Sequence, residues 1–471
     1  MHSRARLLFL FPILIGMATM LVGCATGYHR KQLIDRHVLQ DLQNISLEAL
    51  KPSPAPAKTS GLSGNPQTFD PKNGLTPEDA VLVAEYLNPS IRAFRSAKGV
   101  AEGELVTARL LTNPEIQLNL LHIQNFTHSL GTAGIGTAIN WLPPRPGERD
   151  AHIRRAEARL EQVRAEVSAE EWNLASEVRK AYFAALALER RRQFAEAALK
   201  LQQRVLQFYE DKFKLGDAPR IDLNLARLSY GDAVREQRLV ISEASRALQE
   251  LNRLLGLPPM YATVLRPPAE ALDYKPVKTD LNSLEQLMLT EQPDLQAAKQ
   301  EYEQAEQSVR IARYQRWPWF RLGPALDRND VEGNDLTNKV GLGFSLDLPI
   351  LNFNQGEIRR SEADRDRLYA TYVAKLHDRR ADLNEAYRNV KAQEELIQIF
   401  QTTIRPALDE NKELTEAGFQ LKELNLLQIL TTQDRVLRSQ SEFISSELQY
   451  WQSVFDLEKA VGAPISTGVK P

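Results

Sequence analysis

An internal duplication constrains this sequence more than any other feature does. Short motifs recur at an offset of about 205 residues, and a repeat at one constant offset predicts two copies of one structural unit. We place the first copy at residues 75–270 and the second at residues 271–462, followed by a tail at 463–471. The paired motifs are Asn88-Pro89 with Gln292-Pro293, Arg154 to Ala158 with Arg359 to Ala363, Ala181-Tyr182 with Ala386-Tyr387, and Leu251 and Gly256 with Leu457 and Gly462.

Each copy contains a helical stretch of unusual length. Glu148 to Leu215 holds neither Pro nor Gly and predicts a helix roughly 100 Å long, at about 1.5 Å per residue. Its counterpart, Glu357 to Ala417, is interrupted only by Pro406. The composition is typical of coiled coils, so a structural coiled coil is one alternative. The returning helices are predicted at Ile221–Leu255 and Leu424–Val461, with Gly256 and Gly462 as their C-terminal stops.

A shorter helix opens each copy. The segments Pro77 to Leu111 and Leu281 to Arg316 are predicted as these helices. Thr76 is a suitable N-cap and Asp79 stands three residues later, which predicts a capping box at the start of the first one.

Two pairs of strand-like segments lie between the opening helices and the long helices. Their alternation of apolar with small or polar residues predicts strands with one apolar face, and their length of about 9–10 residues suits a tilted strand that crosses a bilayer. The connecting segments, Gln124 to Leu130 and Asp327 to Asn338, are polar and predict loops. The predicted pairs are Pro114–Ile123 with Gly134–Leu142, and Pro318–Leu326 with Val340–Leu348.

Aromatic residues cluster at the strand ends that adjoin the helices. Trp141, Trp317, Trp319 and Phe320 stand there, where the aromatic belt of a membrane protein would meet the water interface. We therefore predict that these four side chains mark a membrane boundary. A soluble pair of hairpins packed on the helices is the alternative.

Four strands per chain would require several chains to complete a membrane structure. A bilayer does not tolerate an open sheet edge, and about eight strands is the smallest closed barrel. Two copies would supply eight strands and three would supply twelve. Since an eight-stranded barrel is filled by its own side chains, a conduit favours three or more copies.

The N-terminus resembles a bacterial lipoprotein signal. Arg4 and Arg6 precede an apolar run from Leu7 to Met20, and Leu-Val-Gly leads directly to Cys24, the only cysteine. We predict a signal peptide at residues 1–23, a covalent lipid on Cys24 and a linker at residues 24–74, of which residues 51–74 are rich in Pro, Gly, Ser and Asn. An ordinary signal peptide with an incidental cysteine is the alternative. Ala25, which is not an aspartate, favours the outer membrane for such a lipoprotein.

Composition and motifs exclude several classes of function. A net charge of −2 argues against a nucleic-acid binder, and a mean hydropathy of −0.38 argues against a polytopic helical membrane protein. The histidines show no metal-ligand spacing, and the lone cysteine has no catalytic partner. We therefore expect no enzyme activity, no metal site and no cofactor apart from the lipid.

The duplicated unit resembles the TolC-like outer-membrane efflux family from Leu75 to Gly462. At the helical turns that family carries an aromatic-x-x-Gly motif, which Phe213 to Gly216 fits. The second copy keeps the aromatic residue, Phe419, but has Lys422 in place of glycine. The Pro-rich segment from Leu142 to Arg149 resembles the heavy-metal-efflux branch of the family.

The resemblance implies a mainly α-helical fold with a small membrane β part. It implies a homotrimer, in which an α-helical barrel in the periplasm is topped by a shared barrel of twelve strands in the outer membrane. The implied function is the passive exit duct of a tripartite efflux pump, with a periplasmic adaptor protein and an inner-membrane transporter, expected to be of the RND type, as partners. A periplasmic coiled-coil adaptor or scaffold lipoprotein is the alternative.

The resemblance also implies a gate at the helical turns. In family members, aspartates just past the turns surround the closed entrance, and Asp222 matches one such position. The corresponding positions of the second copy are Gln428 and Thr431, so one acidic ring is implied rather than two. The ordinary alternative for Asp222 is a solvated acid at a helix N-terminus.

Overall fold

The computed structural model describes residues 33–47, 73–123, 132–268, 271–331, 335–420 and 426–465. The chain divides into two compact units, Met1–Ser46 and Leu47–Pro471. In the first unit, the described part is one short helix, α1 (Asp35–Gln43), whose side chains are exposed. The second unit contains both sequence copies.

The order of elements is the same in the two copies, as the duplication predicts. The first copy contains α2 (Pro77–Leu87), α3 (Pro89–Arg109), β1 (Glu115–Ile123), β2 (Thr132–Asn140), α4 (Glu148–Lys214) and α5 (Arg220–Leu255). The second contains α6 (Leu281–Glu291), α7 (Pro293–Tyr314), β3 (Trp319–Val331), β4 (Asp335–Asp347), α8 (Gln355–Ile399), a π turn (Phe400–Ile404), α9 (Arg405–Gln420) and α10 (Leu426–Val461). No helix in these described ranges is long and apolar enough to cross a membrane.

The long helix α4 confirms the prediction made from the absence of Pro and Gly. It runs without a break for 67 residues, which corresponds to roughly 100 Å. The counterpart changes at Pro406, also as predicted, but through a π turn between α8 and α9. Because proline has no N–H and its ring crowds the preceding turn, the wider π turn relieves the contact. Phe400 in this turn stacks on Phe443 with ring centroids 4.1 Å apart.

The opening helix of each copy is two helices, where the sequence had predicted one. Pro77 to Leu111 breaks at Asn88, and Leu281 to Arg316 breaks at Gln292. Both break residues are extended, with ψ of 121° and 113°, because the following proline disfavours the helical conformation. The capping box of Thr76 and Asp79 is confirmed, since each side chain accepts from the other's backbone N–H at 3.1 Å.

The two break residues perform the same task in the two copies. Asn88 donates from Nδ2 to the carbonyl oxygen of Leu254, 2.9 Å away, near the end of α5. Gln292 donates from Nε2 to the carbonyl oxygens of Lys459 and Ala460, both 3.2 Å away, near the end of α10. Carbonyls at a helix C-terminus lack partners within the helix, so these amides complete both ends.

Each of these helix ends requires glycine for two reasons: the backbone is left-handed there, and a neighbouring backbone leaves no room for a Cβ atom. Gly256 and Gly462 have φ of 75° and 82°, the left-handed region in which a side chain is disfavoured. A Cβ on Gly256 would lie 2.8 Å from the carbonyl oxygen of Leu87, and one on Gly462 would lie 2.7 Å from Cα of Gln292. Both predicted helix stops are confirmed, and both are also close contacts between backbones.

The long helices form an open layer of four. Near the strands, α3 contacts α4, α4 contacts α7, and α7 contacts α8. Toward the other end, α5 contacts α4, α4 contacts α10, and α10 contacts α8. Within the described residues, neither α3 nor α5 packs extensively against α8. The layer therefore has two open edges, one formed by α3 and α5 and the other by α8.

The core lies where both copies meet around α4 and α10. Phe183 of α4 packs against Trp451 and Phe455 of α10, with ring centroids 5.4 Å and 5.1 Å away. Tyr182, fully buried, donates its hydroxyl to the carbonyl oxygen of Leu75 at 2.9 Å. Tyr450 donates likewise to the carbonyl oxygen of Lys275. Burial raises the pKa of both tyrosines well above the ordinary value, so both remain donors.

The second hairpin is longer than predicted. Strands β3 and β4 each have 13 residues, and their ladder runs from the Trp319–Asp347 pair to the Val331–Asp335 pair. Most of the predicted loop from Asp327 to Asn338 is therefore strand. Ladder bonds use backbone groups, so polar residues do not prevent the pairing. The first predicted loop, Gln124 to Leu130, lies outside the described residues.

Candidate functional site

The four strands form one antiparallel sheet in the order β1-β2-β3-β4. Since side chains alternate between faces, paired residues such as Ile116 with Ile139, and Leu322 with Phe344, share one face. Among the side chains that the structure describes, nine on this face are large, apolar and exposed in the single chain. They are Ile116, Leu118, Ile139, Leu322, Leu326, Val340, Leu342, Phe344 and Leu346.

The opposite face of the sheet is polar and lined by small residues. Asn140 donates to Gln117 at 2.8 Å on this face, and Arg321 lies 3.8 Å from Asp347. Between these groups lie Gly323, Ala325, Gly341 and Gly343. A sheet with one mainly apolar exposed face and one polar face suits a boundary between hydrocarbon and water.

Gly323 marks a close approach between the two hairpins that the sequence did not reveal. A Cβ on Gly323 would lie 1.5 Å from the carbonyl oxygen of Ile139, so no other residue fits there. The next residue, Pro324, has no N–H to give to the ladder. The β2–β3 pairing is interrupted at this point and resumes with the Trp141–Leu322 bridge.

The predicted aromatic residues all lie where the strands meet the helices. Trp141 donates from Nε1 to the carbonyl oxygen of Thr112 at 3.1 Å, and Trp317 is exposed. Phe320 stacks on Phe344 with a centroid separation of 5.8 Å, on the apolar face. Trp319, one residue earlier, shares the polar face with Arg321 and donates to the carbonyl oxygen of Pro143.

The first helical turn has the geometry that its aromatic-x-x-Gly motif suggests. Gly216 has φ of 81°, and its N–H donates to the carbonyl oxygen of Phe213 at 3.1 Å. Asp217 donates to the carbonyl oxygen of Lys212 at 2.9 Å, which completes a Schellman cap. Phe213 and Leu215 are exposed, so the turn presents apolar side chains outward.

The start of α10 lies beside the first helical turn. Leu426, the first residue of α10, is buried in a cluster with Val205, Tyr209, Ala218 and Ala226 of the first turn region. Gln428, two residues further along, is exposed. The side chain of Phe419 and the whole of Lys422 lie outside the described residues, so their predicted roles stay predictions.

Asp222 lies half-buried in the first turn of α5. Its backbone N–H donates to the carbonyl oxygen of Pro219 at 3.1 Å, and its side chain is close to Tyr209. Burial, assisted by the negative charge of Asp222, raises the pKa of the Tyr209 hydroxyl. No ion pair joins Asp222 to Arg220 among the side chains that the structure describes.

The described residues contain no group of three or more His, Cys, Asp or Glu side chains that could hold a metal ion. Cys24, the predicted lipid site, lies outside them.

The comparisons with known proteins agree with this architecture. The family model "Outer membrane efflux protein" matches residues 84–257 and 284–463, and the chain therefore belongs to the outer membrane efflux protein family. No curated protein sequence matches the chain. The family match covers each sequence copy once, so it also reflects the duplication.

Several solved outer-membrane channels share the fold. The outer-membrane channel OprN has a TM-score of 0.67 at 16% identity, over 82% of this chain and 90% of that one. CmeC of Campylobacter jejuni has a TM-score of 0.65 at 15% identity, over 88% and 93%. VceC of Vibrio cholerae has a TM-score of 0.64 at 15% identity, over 83% and 97%. The protein is an outer-membrane efflux channel with a TolC-like fold. The predicted fold class and the predicted outer-membrane location are confirmed, whereas the lipid anchor stays a prediction.

Proposed function

We propose that three copies of this chain form the passive exit duct of a tripartite efflux pump. The observation that carries the proposal is the open sheet. Among the residues that the structure describes, β1 and β4 each have one strand partner, yet the sheet has an exposed apolar face. A bilayer requires these edges to be paired. Three copies supply twelve strands, enough for a barrel with a water-filled interior.

The helical layer supports the same assembly. Its edge helix α5 carries a stripe of exposed apolar residues, Ile221, Leu228 and Leu239, spaced so that they share one side of the helix. The other edge helix, α8, exposes Tyr369 and Val373. Joining one copy's α5 edge to the α8 edge of the next would bury both and close a helical tunnel.

The helical turns are the proposed contact with the pump. Because α4 is roughly 100 Å long, the turn at Gly216 is far from the sheet, and a partner in the periplasm would meet the chain there. Phe213, Gly216, Phe419 and Lys422 would face a periplasmic adaptor. Asp222 and Gln428 would surround the entrance. The chain has no energy source of its own, so an inner-membrane transporter, of the RND type, would drive export.

We also propose that Cys24 carries the lipid that tethers the N-terminus to outer-membrane lipid. The sequence supports this through the apolar run before Cys24 and the Pro-rich linker after it. Along the chain, the two repeats, residues 75–270 and 271–462, would then follow this anchor and its linker and precede the tail at 463–471. The adaptor alternative is disfavoured, since an adaptor would need one helical hairpin between β-rich halves.

Native mass spectrometry of the full chain in detergent tests the assembly. We expect a trimer, and we expect Leu239→Glu to reduce the trimer fraction because it places a charge on the α5 stripe. Arg238→Glu places a carboxylate one residue away from that stripe, with an even larger change in net charge, and should leave the trimer intact. A stable folded monomer of the unmodified chain, or equal effects of the two substitutions, would contradict the proposal.

A further inference from the structure

A cavity lies at the junction between the sheet and the long helices. Its volume is about 1040 Å³, and its walls come from α3, the first three turns of α4, and the segments that join the helices to the strands. Four arginines and two glutamates line it, so arginines are in excess. The wall also includes apolar side chains, among them Leu111, Leu142 and Trp319, and the uncharged polar side chains of Thr107, Thr112 and Gln304.

The arginines of α4 differ according to the side of the helix on which they lie. Away from the cavity, Arg154 pairs with Asp150 at 3.1 Å, and Arg164 pairs with Glu161. Facing the cavity, Arg149 donates to the backbone carbonyl of Arg109 at 2.7 Å, and its partner is neutral. Acidic side chains therefore balance the charge of Arg154 and Arg164 on the side away from the cavity, whereas the charge of Arg149 on the cavity side is not balanced by its hydrogen-bond partner.

Two more arginines on the cavity side follow the same pattern. Arg159 donates to the neutral amide oxygen of Gln162 at 3.0 Å. Arg155 makes no hydrogen bond or ion pair with the residues that the structure describes. Between them and Arg149 lies His152, whose pKa is lowered by burial and by the charge of Arg155, against the opposing effect of Glu148. The histidine is thus neutral, and the positive charge belongs to the guanidinium groups.

The cavity opens on the polar side of the sheet. Trp319 lines it and shares that face with Arg321, whereas Phe320 and Trp141, which follow the apolar face, do not line it. If the polar face is the interior of the duct, as the proposed function requires, the cavity belongs to the wall that exported molecules pass. Three guanidinium groups next to apolar and aromatic surface match one kind of ligand, an organic anion with an apolar body.

We propose that Arg149, Arg155 and Arg159 bind organic anions in transit at the junction between the barrel and the tunnel. The location of this site inside a duct rests on the proposed function. The class of ligand that it would bind is inferred from the residues that line the cavity. A carboxylate or sulfonate would accept from the guanidinium groups, and its apolar part would lie against Trp319 and Leu142. The proposal gives the duct a preferred class of cargo, which family membership does not specify.

Binding is tested with 2-naphthalenesulfonate on the full-length trimer in amphipol by isothermal titration calorimetry. The Arg155→Gln/Arg159→Gln double variant should bind at least about tenfold more weakly, since charge-assisted hydrogen bonds are lost. The control, Arg154→Gln/Arg164→Gln, removes the same charge from the other side of α4 and should bind like the unmodified chain. Should the first double variant misfold, Arg155→Gln alone removes no contact of the fold and should still weaken binding.

Single-channel recording in planar bilayers tests the location. The sulfonate should reduce the current of the unmodified duct more than its cationic counterpart 2-naphthylmethylammonium does, and the Arg155→Gln/Arg159→Gln variant should lose this difference. Equal binding by the two double variants, or equal block by anion and cation, would overturn the inference and leave the proposed duct unaffected.

Folded trimers that bind the sulfonate but carry no current would instead contradict the proposed function. An anionic phospholipid retained in native mass spectra and lost from the same variant would assign the cavity to lipid and overturn the inference.

Discussion

Arg179 of α4 and Glu458 of α10 form a buried ion pair, with Nη1 and Oε2 2.7 Å apart. The other carboxylate oxygen of Glu458 accepts from the backbone N–H of Ile465 at 3.1 Å. The guanidinium also lies 5.9 Å from the ring of Trp172 and 6.0 Å from that of Phe455. This pair joins the first sequence copy to the second in the middle of the core.

Removing the arginine alone should be strongly destabilising. Arg179→Met leaves a carboxylate buried without its partner, a change that typically costs about 3–5 kcal/mol. Thermal unfolding followed by circular dichroism should show the loss, and the double variant Arg179→Met/Glu458→Gln should recover part of it. Lys180→Met, which breaks the exposed pair with Asp456, is the matched control and should cost at most about 1 kcal/mol. A double variant no more stable than Arg179→Met would contradict a coupled pair.

Glu447 should make stability depend on pH. Burial raises its pKa to about 7, with Asp273 adding to the rise while Arg190 and Arg405 oppose it. The unfolded chain releases this proton near the ordinary glutamate pKa of 4.5, whereas the folded chain keeps it until the pH reaches about 7. The contribution of Glu447 to the free energy of unfolding is therefore complete at low pH and decreases as pH rises across this interval.

Replacing the carboxyl by an amide tests this dependence. Glu447→Gln stays neutral at every pH, so its melting temperature relative to the unmodified chain should be higher at pH 8 than at pH 5. Circular dichroism melts at the two pH values provide the comparison. Glu442→Gln, an exposed acid on the same helix, should show no such difference. An unchanged pH dependence in Glu447→Gln would show that this carboxyl is already ionised in the folded chain.

Gly216 and Gly256 should respond differently to a side chain, although both have left-handed φ. No atom lies within 4 Å of a Cβ built on Gly216, so Gly216→Ala should cost about 1–2 kcal/mol of local conformational energy. Gly256→Ala adds a collision with the backbone of Leu87 and should lower the melting temperature further. A larger loss at Gly216 would mean that the turn is packed against a neighbouring copy.

The same turn should matter for docking. Gly216→Val should keep trimers and membrane insertion, since the sheet is far away, but should weaken capture of the periplasmic adaptor from solubilised envelopes. Full adaptor capture by this variant would move the docking surface elsewhere on the helices.

Asp222 should control the resting conductance if it surrounds the entrance. Three copies of this acid would repel one another, and a bound cation would relieve that repulsion. Asp222→Ala should raise or alter the resting conductance in planar bilayers and should reduce block by divalent cations. Asp232→Ala, an acid further along α5 that pairs with Arg235 at 3.3 Å, serves as the control. Unchanged cation sensitivity in Asp222→Ala would leave Asp222 as an ordinary solvated acid.

Features that depend on local composition could be predicted from the sequence. The absence of Pro and Gly predicts α4, and single glycines predict the ends of α5 and α10. The helix breaks at Asn88 and Gln292 do carry a sequence signal, since each residue precedes a proline that disfavours its helical conformation. The extension of β3 and β4 could not be predicted from alternation, because the backbone hydrogen bonds between the strands continue through a segment of polar residues.

Features that depend on distant packing could not be predicted. Arg179 and Glu458 are ordinary helix charges in the sequence, and their burial arises only when α4 and α10 meet. The close approach at Gly323 depends on the pairing of two hairpins from different copies of the repeat. The sequence does not distinguish the cavity-side arginines of α4 from the arginines that form ion pairs, because the cavity exists only when α4 packs against α3.

The unpaired edges of β1 and β4 have a consequence for the life of the newly exported chain. In the sheet that the structure describes, the outer edges of β1 and β4 lack a strand partner and could pair with any other extended segment, which is a hazard for aggregation. If three chains must meet to satisfy these edges, duct formation at low expression would rise with about the third power of chain concentration. Synthesis rate would then act as a threshold for export capacity, and a chain that arrives alone would be a target for periplasmic proteases.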